Sequence, residues 1–345
     1  MPLYCLDPLQ DARWRDFLQQ TQGASVFHSP GWLEALHRTY GYVPVVYTTS
    51  APGAGIANGQ VFCEIKSWLT GRRLVSIPFA DHAALLVDDR QDVCHMFSDL
   101  RRLVDLRSYR YIEIRPVMPV DFGETGLRKS AAFYWHRIPL DRDLSAVFTS
   151  FHKNCVQRKI RRAEREGLTY KEGRDRELIR HFYHLLLLSH RRHGLPPQPI
   201  VWFHNLAECL GDAMKIRVAY KNGIPIAGIV TLQYKRSMVY KYGGSDSRHH
   251  NLGGVAFLFW RIIQEAHAEG LEAVDMGRSD CDNGGLIAFK ERWGAARCTL
   301  NYWVYPPGTV TSPQAWKLKA AKRIFSLVPT AILPTAGRLL YRHMA

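Results

Sequence analysis

The densest run of residues suited to chemistry lies within residues 240–295. There, YKYGGSDSRHHNLGG leaves a predicted strand and enters a predicted helix, with Gly253 and Gly254 directly before the helix. Glycines let the backbone approach a ligand closely, and the N–H groups at the start of a helix bind phosphate or carboxylate. Arg248 and Asn251 add polar side chains to this turn. The segment is therefore either an anion-binding turn or a plain connection between strand and helix.

A second polar run follows the next predicted strand, 272–276. It contains Asp275, Arg278 and Asp280, and it leads into a predicted short helix over 285–293 that carries Lys290. Polar groups at the carboxyl end of a central strand lie where α/β sheets form their clefts. We therefore expect this run to face a substrate.

The elements that position these residues form two α/β halves. In the first half we predict helices over 11–20, from 30 and over 92–106, with strands over 43–49, 59–66, 73–78, 109–115 and 132–138. In the second half we predict helices over 151–165, 177–193, 202–210 and 254–269, with strands over 215–220, 225–234, 237–243, 272–276 and 297–305. The similar order of elements in the two halves indicates an internal duplication.

Several motifs together resemble a known family. YKYGGSD, NLGG, VDMGRSD, GGL and FKERWGA occur in the order and spacing of the Fem family of aminoacyl (peptidyl) transferases, within the GNAT acetyltransferase-like superfamily. KNCVQRKIRRAEREG, SHRRHG, FHSPGWLEALHRTYGYVP and IPFADH also resemble it, so that the likeness covers about residues 25–305. It implies an α/β (α+β) fold of two tandem GNAT-like domains, with mixed sheets flanked by helices. We place these domains at 1–140 and 141–305, followed by a tail at 306–345.

The resemblance also implies roles for individual residues. The lysine of the family's F-K-x-x-[FW]-G motif, here Lys290, would stabilise the oxyanion formed when an amine attacks an ester or thioester; outside the motif it would be an exposed helix lysine. Asp275 and Asp280 would either orient or deprotonate the acceptor amine or cap the following turn. Arg278 would bind a phosphate or carboxylate of the acceptor. The loop with Asp81 and His82 would line the acceptor cleft.

Positive charge is concentrated in two segments. The chain has a net charge of +15, and residues 151–165 hold six Lys or Arg against one acid. In that segment Arg158, Arg161, Arg162 and Arg165 share one helix face, and Lys153 precedes them. This surface is either a solvated helix face or a binding site for tRNA or an acidic carrier protein. The 54 residues after Glu291 hold eight Lys or Arg and no acid. Their tail, over 312–345, is either a docked helix or a peripheral contact with an anionic membrane.

Composition excludes several classes of protein. The chain has 345 residues, of which 46% are hydrophobic and 12% aromatic, which excludes a mainly disordered protein. Its seven cysteines are scattered and form no C-x-x-C pair, and the 15 histidines form no H-E-x-x-H motif, so we predict neither a disulfide framework nor a metal site. The N-terminus lacks the basic start and apolar run of a signal peptide. We expect a cytoplasmic protein, or one at the inner face of the cytoplasmic membrane.

Three functions remain open from the sequence. The first is Fem-like transfer of an aminoacyl group to an amine on a cell-envelope or polysaccharide precursor, with aminoacyl-tRNA as the donor. The second is GNAT N-acyl transfer from acyl-CoA or acyl carrier protein. The third is a non-catalytic nucleic-acid- or membrane-binding protein on this fold. In both enzymatic cases the donor is a co-substrate, and no tightly bound cofactor is expected.

Overall fold

The computed structural model describes residues 2–309, 335, 337 and 340–343. These residues form two compact units, the first from 2–133, 299–309 and 341–343, and the second from 134–298 with 335, 337 and 340. The sequence-based division gave the whole last strand to the second domain, whereas this strand enters the first unit at Thr299. Most of the predicted tail over 306–345, with the apolar stretch proposed to contact a membrane, lies outside the described residues. No helix within the described ranges is long and apolar enough to cross a bilayer.

The first unit contains a mixed sheet with helices packed against it. Its strands follow the order β1-β2-β3-β4-β5-β12. The strands are β1 (Tyr4–Leu6), β2 (Val43–Thr48), β3 (Gln60–Ser67), β4 (Gly71–Val75), β5 (Tyr111–Ile114) and β12 (Ala296–Tyr305), and the helices are α1 (Ala12–Gln20), α2 (Pro30–Tyr40) and α3 (Arg90–Leu106). The core lies where the apolar face of α3, with Phe97 and Leu100, packs against β3 to β5.

The second unit repeats this plan. Its strand order is β6-β11-β10-β9-β8-β7. The strands are β6 (Arg128–Pro139), β7 (Thr169–Gly173), β8 (Met214–Lys221), β9 (Ile224–Tyr234), β10 (Ser237–Ser245) and β11 (Ala273–Asp280). The helices are α4 (Leu144–Ser150), α5 (Arg158–Arg165), α6 (Arg176–His193), α7 (Ile200–Leu210), α8 (Gly254–Ala268) and α9 (Gly284–Glu291). Helix α8 supplies much of the core, including Phe257, Phe259 and Ile262.

The duplication expected from the order of elements is visible in the topology. In the first unit β1 to β4 pair antiparallel, two helices separate β1 from β2, and β4 pairs parallel with β5 after the crossover helix α3. In the second unit β7 to β10 pair antiparallel, α6 and α7 separate β7 from β8, and β10 pairs parallel with β11 after α8. Both units therefore have the mixed α/β architecture that the sequence predicts.

Local sequence explains why the elements begin and end where they do. Ser29 caps α2, with Pro30 as the first helical residue, and Gly41 ends the helix with a φ of +72°. Asn222 and Gly223 both have positive φ and form the tight turn between β8 and β9. These boundaries agree with the sequence prediction because capping and turn chemistry act over a few residues.

Two elements differ from the prediction. The expected helix over 151–165 is split, since residues 153–157 form a π-helical turn and α-helical geometry begins at Arg158. Lys153 thus precedes α5 and does not share its α-helical face with the arginines. Strand β11 extends to Asp280 and does not end at 276. Gly277, with a φ of +71°, allows the strand to bend and continue through the polar run.

Candidate functional site

Strands β10 and β11 of the second unit begin as hydrogen-bonded neighbours. Their parallel register joins Ser237, Met238 and Val239 to the first three residues of β11. Both strands then continue beyond these pairs, β10 to Ser245 and β11 to Asp280. The polar segments predicted to carry chemistry lie on or directly after these two strand continuations. This is the carboxyl end of a parallel pair, where α/β sheets bind ligands.

The bend in β11 is fixed by Asp275. Its side chain is 2% exposed, and its Oδ1 accepts hydrogen bonds from Trp135 Nε1 at 2.8 Å and from the Gly277 N–H at 2.7 Å. Asp275 therefore lies within the buried part of the strand, whereas the sequence placed it at the strand end. Asp280 is the acidic residue at the exposed end of β11, where its backbone carbonyl accepts from Asn283.

Lys290 is buried against this bend. Lys290 is 3% exposed, and its Nζ donates to the carbonyl oxygens of Gly277 at 2.7 Å and Arg278 at 2.8 Å. The alternative of an exposed helix lysine is therefore wrong. Backbone carbonyl dipoles stabilise the ammonium in a place where a charge without partners would be costly. The result is a fixed positive charge at the carboxyl end of β11.

His136 on β6 is a further buried group near this lysine. It has no exposed surface, and neither ring nitrogen has a hydrogen-bond partner among the described residues. Burial, and next the positive charge of Lys290, lower the pKa of His136 to about 4, so the imidazole is neutral near pH 7. Ser279 Oγ is likewise buried without a partner among those residues. Such atoms are where a bound ligand or water would form hydrogen bonds.

The glycine-rich turn after β10 is closely packed. Gly253 has a φ of +78°, and a Cβ there would lie 2.5 Å from the carbonyl oxygen of Lys159. A Cβ on Gly244 would lie 2.5 Å from the backbone nitrogen of Leu186, and one on Gly254 would meet Ile226 and Ala227 at 3.1 Å. These glycines therefore allow α5, α6 and β9 to pack against the turn at the start of α8. Whether they also bind an anion stays a prediction.

Arg248 and Asn251 lie on the exposed side of this turn. The guanidinium of Arg248 forms a bidentate pair with Asp246, at 2.6 Å between Nη2 and Oδ2, and its side chain is 78% exposed. Hydrogen bonding to Arg248 lowers the pKa of Asp246 to about 2. Asn251 is exposed in the 3₁₀ turn Ser247–Leu252. A ligand anion at Arg248 would therefore share the guanidinium with Asp246.

Further basic residues lie around the turn. Arg192 Nη1 donates to the Ser245 carbonyl at 3.4 Å, and His250 Nε2 lies 3.0 Å from Ser245 Oγ. Burial lowers the pKa of His250, and the charges of Arg192, Lys159 and His193 lower it further. Because these charges act on one imidazole, the start of α8 is electropositive. Phosphate groups suit such a place.

Helix α5 presents the predicted basic face. Val156, before the helix, and Ile160 and Ala163 within it are buried, as the sequence predicts. The basic side chains are exposed, and they are Lys153, Arg158, Arg161, Arg162 and Arg165. Arg162 pairs with Glu166 at 3.6 Å. The remaining arginines leave a strongly positive surface on the second unit.

Asp81 and His82 belong to the first unit. The Asp81 carbonyl accepts from Tyr302 Oη at 2.5 Å, and His82 is 6% exposed beside the ring of Phe27. In the same loop Ile77 and Phe79 have φ values of +47° and +60°. A positive φ is rare for such side chains and costs conformational energy, so the surrounding structure must hold this loop in place. Their role in acceptor binding stays a prediction.

Sequence reasoning missed Trp135, His136 and Arg192 as members of these sites. Trp135 and His136 lie on a strand distant in sequence from β11, so no motif connects them to Asp275 or Lys290. Arg192 and His250 do lie in segments that resemble the family, SHRRHG and the glycine-rich turn. Arg192 and His250 both contact Ser245, and they come together because the end of α6 packs against β10.

Comparison with known proteins agrees with this geometry. Residues 150–291 match the acetyltransferase (GNAT) domain family. A curated relative, UDP-N-acetylmuramoylpentapeptide-lysine N(6)-alanyltransferase of Weissella viridescens, is 30% identical over 135 residues, which are 38% of this chain and 40% of the relative. The crystal structure of FemX superposes with a TM-score of 0.69 at 15% identity, covering 88% of this chain and 97% of that chain. The chain thus resembles FemX in fold and contains a region similar to the acetyltransferase (GNAT) domain family.

A second structural neighbour agrees with the tandem architecture. A tandem GNAT protein from the clavulanic acid biosynthesis pathway has a TM-score of 0.53 at 13% identity, covering 90% of this chain and all of that chain. At such identities the likeness of this chain to FemX and to the tandem GNAT protein concerns the fold alone. Both units of this chain, with their repeated strand plan, fit that fold. The predicted GNAT-type α/β fold is confirmed, and the substrates are considered below.

Proposed function

We propose that this protein is an acyltransferase that forms an amide bond on an amine acceptor. The observation that carries the proposal is Lys290, a buried ammonium held by two carbonyls at the bend of β11. A cation fixed by the fold is preorganised to stabilise an oxyanion without reorganisation during the reaction. The match of residues 150–291 to a GNAT domain supports this chemistry.

The reaction needs a limited set of groups. A neutral amine attacks the carbonyl carbon of an ester or thioester, which puts negative charge on the carbonyl oxygen. Collapse of this intermediate breaks the C–O or C–S bond, and the proton lost by the amine goes to the leaving alcohol or thiol. Lys290 stabilises the oxyanion. Asp275 maintains the bend that presents two carbonyls to Lys290, and Asp280, at the exposed end of the strand, orients the amine.

The donor is a phosphate-containing acyl carrier. The start of α8, with Arg192 and Lys159, offers positive charge and helix N–H groups at the end of β10. Acyl-CoA carries a pyrophosphate at the far end of its pantetheine arm from the thioester, and aminoacyl-tRNA carries a phosphate on its terminal nucleotide, so both donors offer phosphate to this turn. Arg248 and the glycines at 253 and 254 position the phosphate in either case.

The proposed acceptor is an amine on a cell-envelope precursor. The name of the Weissella viridescens relative specifies a lysine of a UDP-linked muramoylpentapeptide as the group that receives alanine. Such an acceptor carries phosphates and carboxylates, which suit the half-buried Arg278. We assign the strained loop with Asp81 and His82 in the first unit to acceptor recognition.

The exposed arginines of α5 favour a second form of this function, with a macromolecular donor. Arg158, Arg161 and Arg165 are exposed on a helix packed near the donor turn, since Gly253 lies against the Lys159 carbonyl. A tRNA or an acidic acyl carrier protein would contact this surface while its acyl group lay at β11. Free acyl-CoA would leave the surface unused.

Thermal unfolding with candidate donors tests the proposal. The full-length protein is heated with acetyl-CoA, alanyl-tRNA or uncharged tRNA, and amide formation on UDP-N-acetylmuramoyl-pentapeptide is followed with each charged donor. A donor at 100-fold its dissociation constant should stabilise the folded protein by about 2.7 kcal/mol. Stabilisation with product formation supports the proposal. A protein that neither binds a donor nor forms an amide would be a non-catalytic member of this fold.

A further inference from the structure

The turn between β3 and β4 exposes two large apolar side chains in the first unit. Trp68 is 87% exposed and Leu69 is 58% exposed, and Thr70 separates them from Gly71 with its φ of +80°. Most exposed apolar residues on a soluble protein occur singly, so an adjacent Trp and Leu at the tip of a hairpin need an explanation.

A third exposed apolar residue lies beside this turn. Leu106, at the end of α3, is 83% exposed. The next residue, Arg107, accepts a hydrogen bond at its carbonyl from Arg72 Nη1 at 3.2 Å, and Arg110 donates through its backbone N–H to Arg72 at 2.7 Å. Arg110 Nη1 also donates to the Thr70 carbonyl at 3.3 Å. The end of α3 and the tip of the hairpin therefore form one corner of the unit.

Cations surround these apolar side chains. We define the Trp68 corner as residues 66–72, 105–110, 342 and 343; the last belongs to it because the ring of His343 contacts Trp68 with a centroid distance of 5.6 Å. The corner contains five Lys or Arg and a single acid, Asp105. Glu64, which pairs with Arg72 at 2.5 Å and Lys66 at 3.6 Å, is only 14% exposed in its side chain. The outer surface of the corner is thus apolar and positive.

We propose that the Trp68 corner binds the surface of an anionic phospholipid bilayer. Trp is the side chain that most favours the boundary between headgroups and acyl chains, and Leu106 and Leu69 add apolar area beside it. The arginines lie where they would contact lipid phosphates, and juxtamembrane cations gain attraction from an anionic leaflet. An acidic protein or a nucleic acid would satisfy the cations but would leave the three apolar side chains unexplained.

Co-sedimentation of the full-length protein with vesicles tests this surface. Wild-type protein should bind vesicles of phosphatidylcholine with 30% phosphatidylglycerol, and bind pure phosphatidylcholine vesicles far more weakly. The double variant Trp68→Ser/Leu69→Ser should lose roughly tenfold or more in partitioning because it removes apolar insertion. The double variant Arg107→Gln/Arg110→Gln should lose about fivefold per cation.

Matched controls separate this surface from general effects. Ile224 and Val201 are 54% and 43% exposed in the second unit, so Ile224→Ser/Val201→Ser removes comparable apolar groups from elsewhere. Arg176→Gln/Arg180→Gln removes two exposed cations outside the corner and outside α5. Both control variants should partition like the wild type, and each variant is used only after its unfolding midpoint matches the wild type.

Depth of insertion gives a second readout. Lipids brominated on their acyl chains should quench part of the protein fluorescence, and Trp68→Phe should remove that quenching while retaining most of the binding. The proposal is overturned if the wild-type protein does not bind anionic vesicles, or if the Trp68→Ser/Leu69→Ser variant binds them as strongly as the wild type does. It is also overturned if the corner variants lose binding to tRNA but retain binding to vesicles.

Discussion

Trp135 Nε1 donates a hydrogen bond to Asp275 Oδ1 at 2.8 Å, which joins a side chain of β6 to the bend of β11. The same carboxylate oxygen accepts the Gly277 N–H, and the Gly277 carbonyl in turn accepts from Lys290. The buried ammonium is therefore positioned through a chain of three hydrogen bonds. Asp275 acts on Lys290 through the backbone.

The first prediction concerns Asp275. Asp275→Asn retains an acceptor oxygen for Trp135 and Gly277, so amide formation should fall by less than about tenfold. Asp275→Ala removes the carboxylate that accepts from two buried N–H groups and should lower the free energy of unfolding by about 2–4 kcal/mol. Chemical denaturation and the transfer rate measure these effects. A loss of several hundredfold in Asp275→Asn, with normal stability, would instead identify Asp275 as a base.

The second prediction concerns acid stability. The pKa of His136 is lowered to about 4 by burial and by Lys290, whereas in the unfolded chain it is near 6.5. Between these values the unfolded state binds more protons, so the free energy of unfolding should fall as the pH decreases from 6.5 to 4. Glu291 and Arg297 also act on this imidazole, with opposite signs. His136→Leu should reduce the pH dependence in this range.

An exposed histidine provides the control for that measurement. His184→Asn, which removes an exposed imidazole, is measured beside His136→Leu. His28 is also buried, with a pKa lowered to about 4, so part of the acid destabilisation should remain in His136→Leu. An unchanged curve in His136→Leu would show that this imidazole is protonated equally in the folded and unfolded states.

The third prediction concerns close packing at the donor turn. Gly253 and Gly270 both have positive φ, but only Gly253 has a neighbour, the Lys159 carbonyl, where a Cβ would lie. Gly270→Ala should cost about 1 kcal/mol from backbone strain alone. Gly253→Ala should cost clearly more, since the strain and the collision add. Equal losses of unfolding free energy in the two variants would contradict the packing described for this turn.

The fourth prediction concerns the basic face of α5. If a tRNA binds there, the variant Arg158→Gln/Arg161→Gln/Arg165→Gln should bind it more weakly and with a smaller dependence on salt. Each lost phosphate contact should reduce the slope of log K against log salt by about 0.7 to 0.9. Arg176→Gln/Arg180→Gln is the matched control. A triple variant with unchanged slope would show that α5 is only a solvated helix face.

The sequence predicted the fold well where local chemistry decides it. Ser29 with Pro30, the Asn222–Gly223 turn and Gly194 after α6 are capping or turn signals whose effect depends on a few neighbouring residues. The buried side of the basic helix was also predictable from its period. The extension of β11 was not predictable. A strand that bends at a glycine and continues through polar residues loses the alternation by which strands are recognised.

The candidate site was predictable only in part. The motif identified Lys290, but its burial depends on carbonyls supplied by another element, which no local pattern encodes. His136 and Trp135 lie more than a hundred residues before β11, and only strand order brings β6 beside it. The passage of β12 from the second unit into the first has no local signal for a related reason, since it depends on strand order.

The central claim is that Lys290 stabilises the oxyanion of an acyl transfer, and the variant Lys290→Met tests it most directly. The rate of amide formation on UDP-N-acetylmuramoyl-pentapeptide is measured with saturating acetyl-CoA and with alanyl-tRNA, beside Glu291→Gln as a control on the same helix. Loss of one oxyanion donor should lower kcat by about 10²–10³ with little change in KM, while the control retains activity. A folded Lys290→Met protein that forms amide within a few-fold of the wild-type rate, or a wild-type protein that forms none with either donor, would contradict the account.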